Sequence, residues 1–384
     1  MNRPYTLSAV ICLMTLMLPG TAYSAVDRPI SAFEDLILIV LDDPRPARLR
    51  QGSQRKYGGP IAYDKDPVLR RHAKRIANKY NQDVIFEWPL RSLAVHCLVV
   101  KRPDPETLRR IQADHRVAWV QPFNTHLVQR TPKTHPISKH AVSNLLPVPG
   151  NAMGVRISII DTGADLSHPD LPRKSVVYKD LVDDLIPVKE KGRGFDEAHG
   201  TSVLGLIAAQ PAPDSPIDPG MASGADIQHL RGCWEENLVG KCSTLTLALA
   251  LEAAIQYRPA VINLSLTGPT DRVLDALLEK LAERGTTVVA AHDEQREHGQ
   301  RFPRPAAHVV YVKAGESLGL HNTDTRTFIA PGQVLSTSPM ASYQLFTGHS
   351  AAVPHLTATI ARIKAQQKPD HDALWHQLES AIQN

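Results

Sequence analysis

Short continuous apolar runs alternate with amphipathic stretches along most of this chain. From residue 153 onward, runs at 155–160, 226–230, 260–266, 286–291 and 308–314 have strand length, as strands buried on both faces do. Between them, 199–209, 244–257, 271–284 and 350–366 show helical spacing. In 271–284 the stripe Leu274, Leu277, Leu278 and Leu281 marks the core-facing side. This alternation predicts an α/β fold, a doubly wound and mostly parallel sheet with helices on both faces. A further amphipathic helix is expected around 373–382, packed on the body.

Residues 30–130 predict a separate, smaller unit. Runs at 36–41, 94–100 and 117–120 read as strands, and 67–80 and 105–115 as helices. The order β-α-β-α-β suggests a small α+β sandwich. In 67–80, Val68, Ala73, Ile76 and Ala77 fall on one side and Arg70, Arg71, Lys74 and Arg75 mostly on the other, a solvated basic face. Residues 131–152 carry Pro132, Pro136, Pro147 and Pro149 among polar residues and read as a linker, where a maturation cut would fall. The expected plan is a leader over 1–24, the small unit over 30–130, the linker over 131–152 and an α/β body over 153–384.

The leader has secretory character: Arg3, an apolar run from Leu7 to Leu18, then Ala22 and Ser24, which suit cleavage after Ser24. The run is short for a membrane span, and no second run reaches that length. The expected mature protein is therefore soluble, monomeric, and secreted or periplasmic, with no membrane contact once the leader is removed. A net charge of +4 over 384 residues, with no block of like charge, argues against a nucleic-acid partner. In an oxidising compartment, Cys233 and Cys242, flanking a polar loop at 234–241, are expected to form a disulfide. Cys97 reads as a buried strand residue without a partner. No cofactor is implied. Acidic pairs such as Asp183-Asp184 read as surface, and no metal is assigned.

Three stretches carry candidate chemistry. The run 155–160 ends in Asp161-Thr162-Gly163, which is how a buried parallel strand delivers a carboxylate to its C-terminal edge. His199-Gly200-Thr201 opens an apolar helix. Gly348-His349-Ser350-Ala351-Ala352-Val353-Pro354 puts a serine at a helix start, where it could cap the helix or act as a nucleophile near backbone amides. An aspartate, a histidine and a serine, each at the edge of an expected element, are the parts of a nucleophilic triad: Ser350 attacks, His199 shuttles the proton and Asp161 orients His199.

With this chain order, the three motifs resemble the signatures of subtilisin-like serine proteases. The resemblance spans roughly residues 145–366. It extends to Gly220-Met221-Ala222-Ser223-Gly224-Ala225, to Phe328-Ile329-Ala330-Pro331-Gly332, and to Ile262–Pro269, which looks like the family's substrate-binding strand. It implies an exported serine endopeptidase that works through an acyl-enzyme. Protein or peptide substrates would pair with the backbone at Ser265, Leu266 and Thr267, with room left by Gly268. It also implies that the small N-terminal unit is a prodomain, an intramolecular inhibitor whose tail lies across the cleft.

Two positions depart from the family pattern. His349 stands where a threonine is usual. The position of the oxyanion asparagine falls on Glu294, or on Asp293 with a one-residue shift. An ionised carboxylate cannot donate to an oxyanion, and losing that donor costs ~10²–10³ in rate. The amide of Ser350 would still contribute. A carboxylic acid kept protonated by burial, or Gln295 or His292, would be needed as the second donor. Two other functions compete: a binding protein on a protease scaffold with a spoiled oxyanion hole, and an esterase or amidase using the same triad.

Overall fold

The computed structural model describes Phe33 and residues 35–45, 67–128, 148–183, 198–236, 239–316, 319–322, 325–367 and 369–383. The leader and most of the linker lie outside the described residues.

The N-terminal unit runs β1 (Leu36–Asp42), α1 (Pro67–Lys79), β2 (Val84–Leu90), β3 (Val95–Lys101), α2 (Pro105–Gln112) and β4 (Val117–Pro122). Its sheet is antiparallel in the order β2-β3-β1-β4. Strand β2 is an element the apolar pattern missed. It contains Glu87 and Pro89, and it lies at the sheet edge, where a proline need not donate to a neighbour. One sheet face, with Ile37, Ile39, Leu41, Leu98 and Val100, buries against Ala73, Ile76 and Tyr80 of the α1 region and Ile111 of α2. The other face, with Leu36, Leu38, Val40, Val95, Cys97 and Val99, packs into the core of the larger body. Both faces of β1 are therefore buried, and from Leu36 to Leu41 its sequence is an unbroken apolar run.

The larger body holds an eight-stranded sheet in the order β16-β17-β15-β13-β11-β6-β8-β7. Its strands are β6 (Arg156–Asp161), β7 (Val176–Asp180), β8 (Asp226–Arg231), β11 (Val261–Leu264), β13 (Thr287–Ala291), β15 (Val309–Gly315), β16 (Gly319–Asn322) and β17 (Thr327–Pro331). All neighbours run parallel except the edge pair β16–β17. The helices are α3 (Ala198–Ala208), α4 (Thr244–Tyr257), α5 (Arg272–Ala282), α6 (His349–Gln366) and α7 (His371–Gln383). Side chains on β13 alternate: Val288 and Ala290 pack toward the α4 and α5 side, Val289 and Ala291 toward the α3 and α6 side. The expected doubly wound arrangement is what forms.

The stretch 234–241 is expected to be a polar loop; its described residues, 234–236 and 239–241, instead lie in the paired strands β9 (Cys233–Glu236) and β10 (Val239–Ser243). Cys233 and Cys242 face each other in their register and are joined as a disulfide. Cys233, Trp234 and Cys242 are buried while Glu235, Glu236 and Lys241 are only partly so, and polarity alone misled the reading. Cys97 is buried and free. The remaining short strands form small antiparallel pairs: β5 (Thr125–Val128) with β10, β12 (Gly268–Pro269) with β14 (Arg301–Phe302), and β18 (Gln333–Ser338) with β19 (Ser342–Thr347). No helix among the described residues is long and apolar enough to cross a membrane.

The chain passes from β6 to β8 on one side of the sheet, then returns to β11 on the other side of β6. Such a reversal opens a crevice at the carboxyl ends of the strands. Asp161 is the last residue of β6 and stands at that crevice.

Candidate active site

The Asp161 carboxylate is fully buried. Its Oδ1 accepts from His199 Nδ1 at 2.7 Å and from the Thr162 amide at 2.7 Å. Reach follows from local structure. His199 is the second residue of α3, and the Gly200 amide donates to Thr162 Oγ1 at 2.9 Å, which clamps the helix start to the turn after β6. Gly200 is required there, because a Cβ would lie 2.3 Å from the Gly163 carbonyl oxygen. Buried His229 on β8 makes a 2.8 Å hydrogen bond from its ring Nε2 to the Thr162 carbonyl. Burial pushes the His229 pKa down, which suits a neutral ring donating that bond. With Nδ1 held by Asp161, His199 keeps Nε2 as the acceptor a general base needs, and Nε2 has no hydrogen-bond partner among the described residues.

Ser350 is not the helix cap. Gly348 is the N-cap of α6, in a backbone conformation (φ 98°) that side-chain-bearing residues rarely adopt, and Ser350 is the second helical residue. Its hydroxyl donates to the Ser265 carbonyl at 3.0 Å, so passing the proton to His199 requires the hydroxyl to be re-aimed. Pro354 lacks the amide that would reach the Ser350 carbonyl one turn back. The Ser265 hydroxyl donates to that carbonyl instead, at 3.2 Å. Asn263 Nδ2 in turn donates to Ser265 Oγ, and Thr357 Oγ1 donates to Asn263 Oδ1, at 3.0 and 2.9 Å. This buried relay ties the helix that carries Ser350 to the segment after β11. Sequence reasoning missed it; the proline four residues after the serine was the available signal.

Of the expected substrate-pairing residues, Thr267 pairs with a strand, and that strand is the chain's own. Leu127 and Thr267 exchange two backbone hydrogen bonds, of 2.8 and 3.0 Å, while β10 pairs with β5 from the other side. Segment 125–128 thus lies in an extended slot between β10 and the 265–268 segment. The space beside Gly268 is filled by the buried His126 ring: a Cβ on Gly268 would meet His126 Nδ1 at 2.0 Å. The ring also contacts Phe302 edge-on and faces the Asp271 carboxylate at 3.7 Å. The Leu266 side chain is buried in the core with α4 and α5. Ser350 is 0% exposed and His199 1%, so the site is closed to solvent in this state.

The other flank of Ser350 is polar. Asp293 is buried, with Oδ1 accepting from the Gln295 amide and Oδ2 from Arg296, at 2.9 and 2.8 Å. Both of its oxygens accept, and neither donates. Glu294 is exposed and pairs with Lys313 Nζ at 2.8 Å, and this bond holds its carboxyl below the usual range. It is a carboxylate at neutral pH and has no proton to offer an oxyanion. The exposed Gln295 contributes its amide to Asp293. His292 is partly buried, and burial with nearby Arg301 pushes its pKa down to about 4. Its Nδ1 is buried with no hydrogen-bond partner among the described residues. The ring of His349 turns toward this group. Its Nδ1 accepts from the Ala314 amide at 3.3 Å and its Nε2 stands 3.6 Å from Glu294 Oε1. Burial lowers the His349 pKa, with Glu294 pulling the other way.

Comparison with known proteins places this geometry. The profile of the subtilase family (Peptidase_S8) matches residues 152–384. The major intracellular serine protease of Bacillus subtilis is 28% identical over 226 residues, 56% of this chain and 69% of that protein. Subtilisin E of Bacillus subtilis is 24% identical over 273 residues, 68% of each chain. The extracellular serine proteinase of a Thermus species is 28% identical over 304 residues, 73% of this chain and 67% of that protein. Among solved structures, fervidolysin from Fervidobacterium pennivorans, a keratinolytic enzyme related to subtilisin, superposes with a TM-score of 0.60 at 18% identity, covering 87% of this chain. The chain spans about half of fervidolysin's length, 55%.

Proposed function

Starting from a chain that belongs to the subtilase family and is a serine-type endopeptidase, we propose that Asp161, His199 and Ser350 carry its reaction and that the state described is a precursor with its cleft filled. The observation that carries the catalytic assignment is the buried 2.7 Å bond from His199 to Asp161 beside the helix that presents Ser350. Ser350 Oγ attacks the substrate carbonyl. Its proton passes to His199 Nε2, whose positive charge Asp161 stabilises. His199 returns the proton to the leaving amine, and water then hydrolyses the acyl-enzyme by the same path. The amide of Ser350, in the first turn of α6, offers one oxyanion donor.

The precursor assignment rests on the strand 125–128, seated where a substrate backbone would pair, and on the solvent-closed Ser350. The unit that ends in this strand, residues 30–130, acts in this reading as an inhibitory prodomain docked on α4 and α5. Ser92 bonded to Glu252, and Gln121 and Asn124 bonded to Asp271, hold it there. The leader over 1–24 directs export, and the linker 131–152 carries the maturation cut. Peptides and proteins are the substrates.

The test is labelling of Ser350 by a fluorophosphonate probe, mapped by peptide mass spectrometry, on the full chain and on protein freed of its first unit. Labelling at Ser350 that is absent from Ser350→Ala, and faster once the first unit is removed, is the expected result. No labelling of the folded, freed body would mark a protease fold used for binding alone. Turnover of small esters without turnover of casein would mark an esterase.

A further inference from the structure

We propose that His292, Glu294 and His349 form a binding site for one divalent transition-metal ion of the zinc class, one residue from the nucleophile. His292 and Glu294 are close in sequence and His349 is distant, but β13 ends and α6 begins at the same edge of the sheet. One donor atom from each lies within 4.8 Å of the other two. The separation of 3.6 Å between His349 Nε2 and Glu294 Oε1 is close to the ligand–ligand spacing, about 3.3–3.5 Å, around a tetrahedral ion bound at about 2.0–2.1 Å. The buried Nδ1 of His292 has no hydrogen-bond partner among the described residues. The ring of His321 stands 6.3 Å from that of His292, so a fourth position is open to it or to water. Two imidazoles and a carboxylate are a donor set for zinc, cobalt or nickel, and a poor one for calcium or magnesium, which prefer oxygen throughout. Exposed Glu294 provides the route in for an ion.

Coordination requires two local rearrangements. Lys313 gives up Glu294, with which it pairs at 2.8 Å. His349, coordinated through Nε2, carries its proton on Nδ1, so its ring turns away from the Ala314 amide. Both are side-chain movements, and the first makes a specific prediction: Lys313 competes with the ion.

Binding is tested without reference to catalysis, so its outcome does not depend on the triad assignment. The full chain carrying Ser350→Ala, to prevent self-digestion, is stripped of metal. It is titrated with Co²⁺ followed by visible absorption, and with Zn²⁺ by competition. The expected result is one saturable site with the intense bands of tetrahedral Co²⁺. Loss of an outer-shell partner costs about 10–100-fold in metal affinity, so His349→Ala and Glu294→Gln should each cost about 100-fold or more. Lys313→Met should tighten binding several-fold, while His115→Ala, whose side chain is 90% exposed elsewhere, should change nothing. Circular dichroism of the metal-free variants checks folding. If His349→Ala does not fold, Glu294→Gln and Lys313→Met decide. An isotherm unmoved by Glu294→Gln and His349→Ala, or weakened by Lys313→Met, overturns the site.

Discussion

The two flanks of Ser350 are built on opposite principles. Toward β6 and α3 the groups are dry, short-bonded and single-purpose: Asp161 and His199 are almost fully buried and 2.7 Å apart, and a glycine and a threonine clamp the approach. Toward β13 and β15 the groups are polar and half-open: Glu294, Lys313, His292 and His349 share one cluster in which each contact competes with another. A carboxylate buried beside a histidine can have one arrangement only, because any other leaves a charge unpaired in a low dielectric. A carboxylate at the rim is solvated and can exchange partners. The first flank therefore suits fixed proton transfer. In the catalytic reading proposed above, the second suits adjustment of the electrostatics around Ser350.

The sharpest way to break this contrast is to remove the fixed side. Ser350→Ala should lower peptide hydrolysis by about 10⁶-fold, and Asp161→Asn by about 10⁴-fold through the wrong His199 tautomer, each measured as kcat with a fluorogenic peptide. A loss of less than tenfold in either would mean that the dry flank is not where the chemistry happens. Next in size is the strand in the cleft. Leu127→Pro deletes the amide that donates to the Thr267 carbonyl. At about 1 kcal/mol for a hydrogen bond, labelling of Ser350 in the full chain should quicken by roughly fivefold. An unchanged labelling rate would place the barrier elsewhere.

On the open flank the effects are smaller and depend on pH. Glu294→Gln removes a negative charge near the oxyanion and should raise kcat/KM by about two- to fivefold at neutral pH, the scale of a solvent-screened charge. Because Lys313 holds the Glu294 pKa below its usual value, the parent and the variant should converge only at acid pH, where Glu294 takes up a proton. A difference that grows on acidification would contradict this. The smallest expected effect is on stability. His292, His308 and His355 have pKa values pushed by burial from 6.5 to about 4. Between those values the unfolded chain binds more protons than the folded one, so stability falls as pH drops from 6.5 toward 4 and is level above 6.5. His355 is fully buried, and neither ring nitrogen has a hydrogen-bond partner among the described residues. His355→Leu should flatten part of the slope of unfolding temperature against pH.

Much was legible before any coordinates. The apolar runs of β6, β11, β13 and β15 are strands because both faces are covered, and a strand covered on both faces needs no polar alternation. The stripe of α5 is its buried side. The order of Asp161, His199 and Ser350 is local information, since each motif is a turn plus the start or end of one element. The missed elements are those whose environment is supplied by another part of the chain: β2 at a sheet edge with its proline, and the β9–β10 pair, polar enough to read as a loop.

Sequence by itself carried the α/β alternation, the family and the candidate residues Asp161, His199 and Ser350, because periodicity and short motifs are properties of neighbouring residues. Tertiary structure alone decided that strand 125–128 fills the slot beside Thr267, that Pro354 leaves the Ser350 carbonyl to the Ser265 hydroxyl, and that His292, Glu294 and His349 meet. These contacts join residues tens to more than a hundred positions apart, and no local pattern encodes a distance that only the folded sheet brings to a few ångströms.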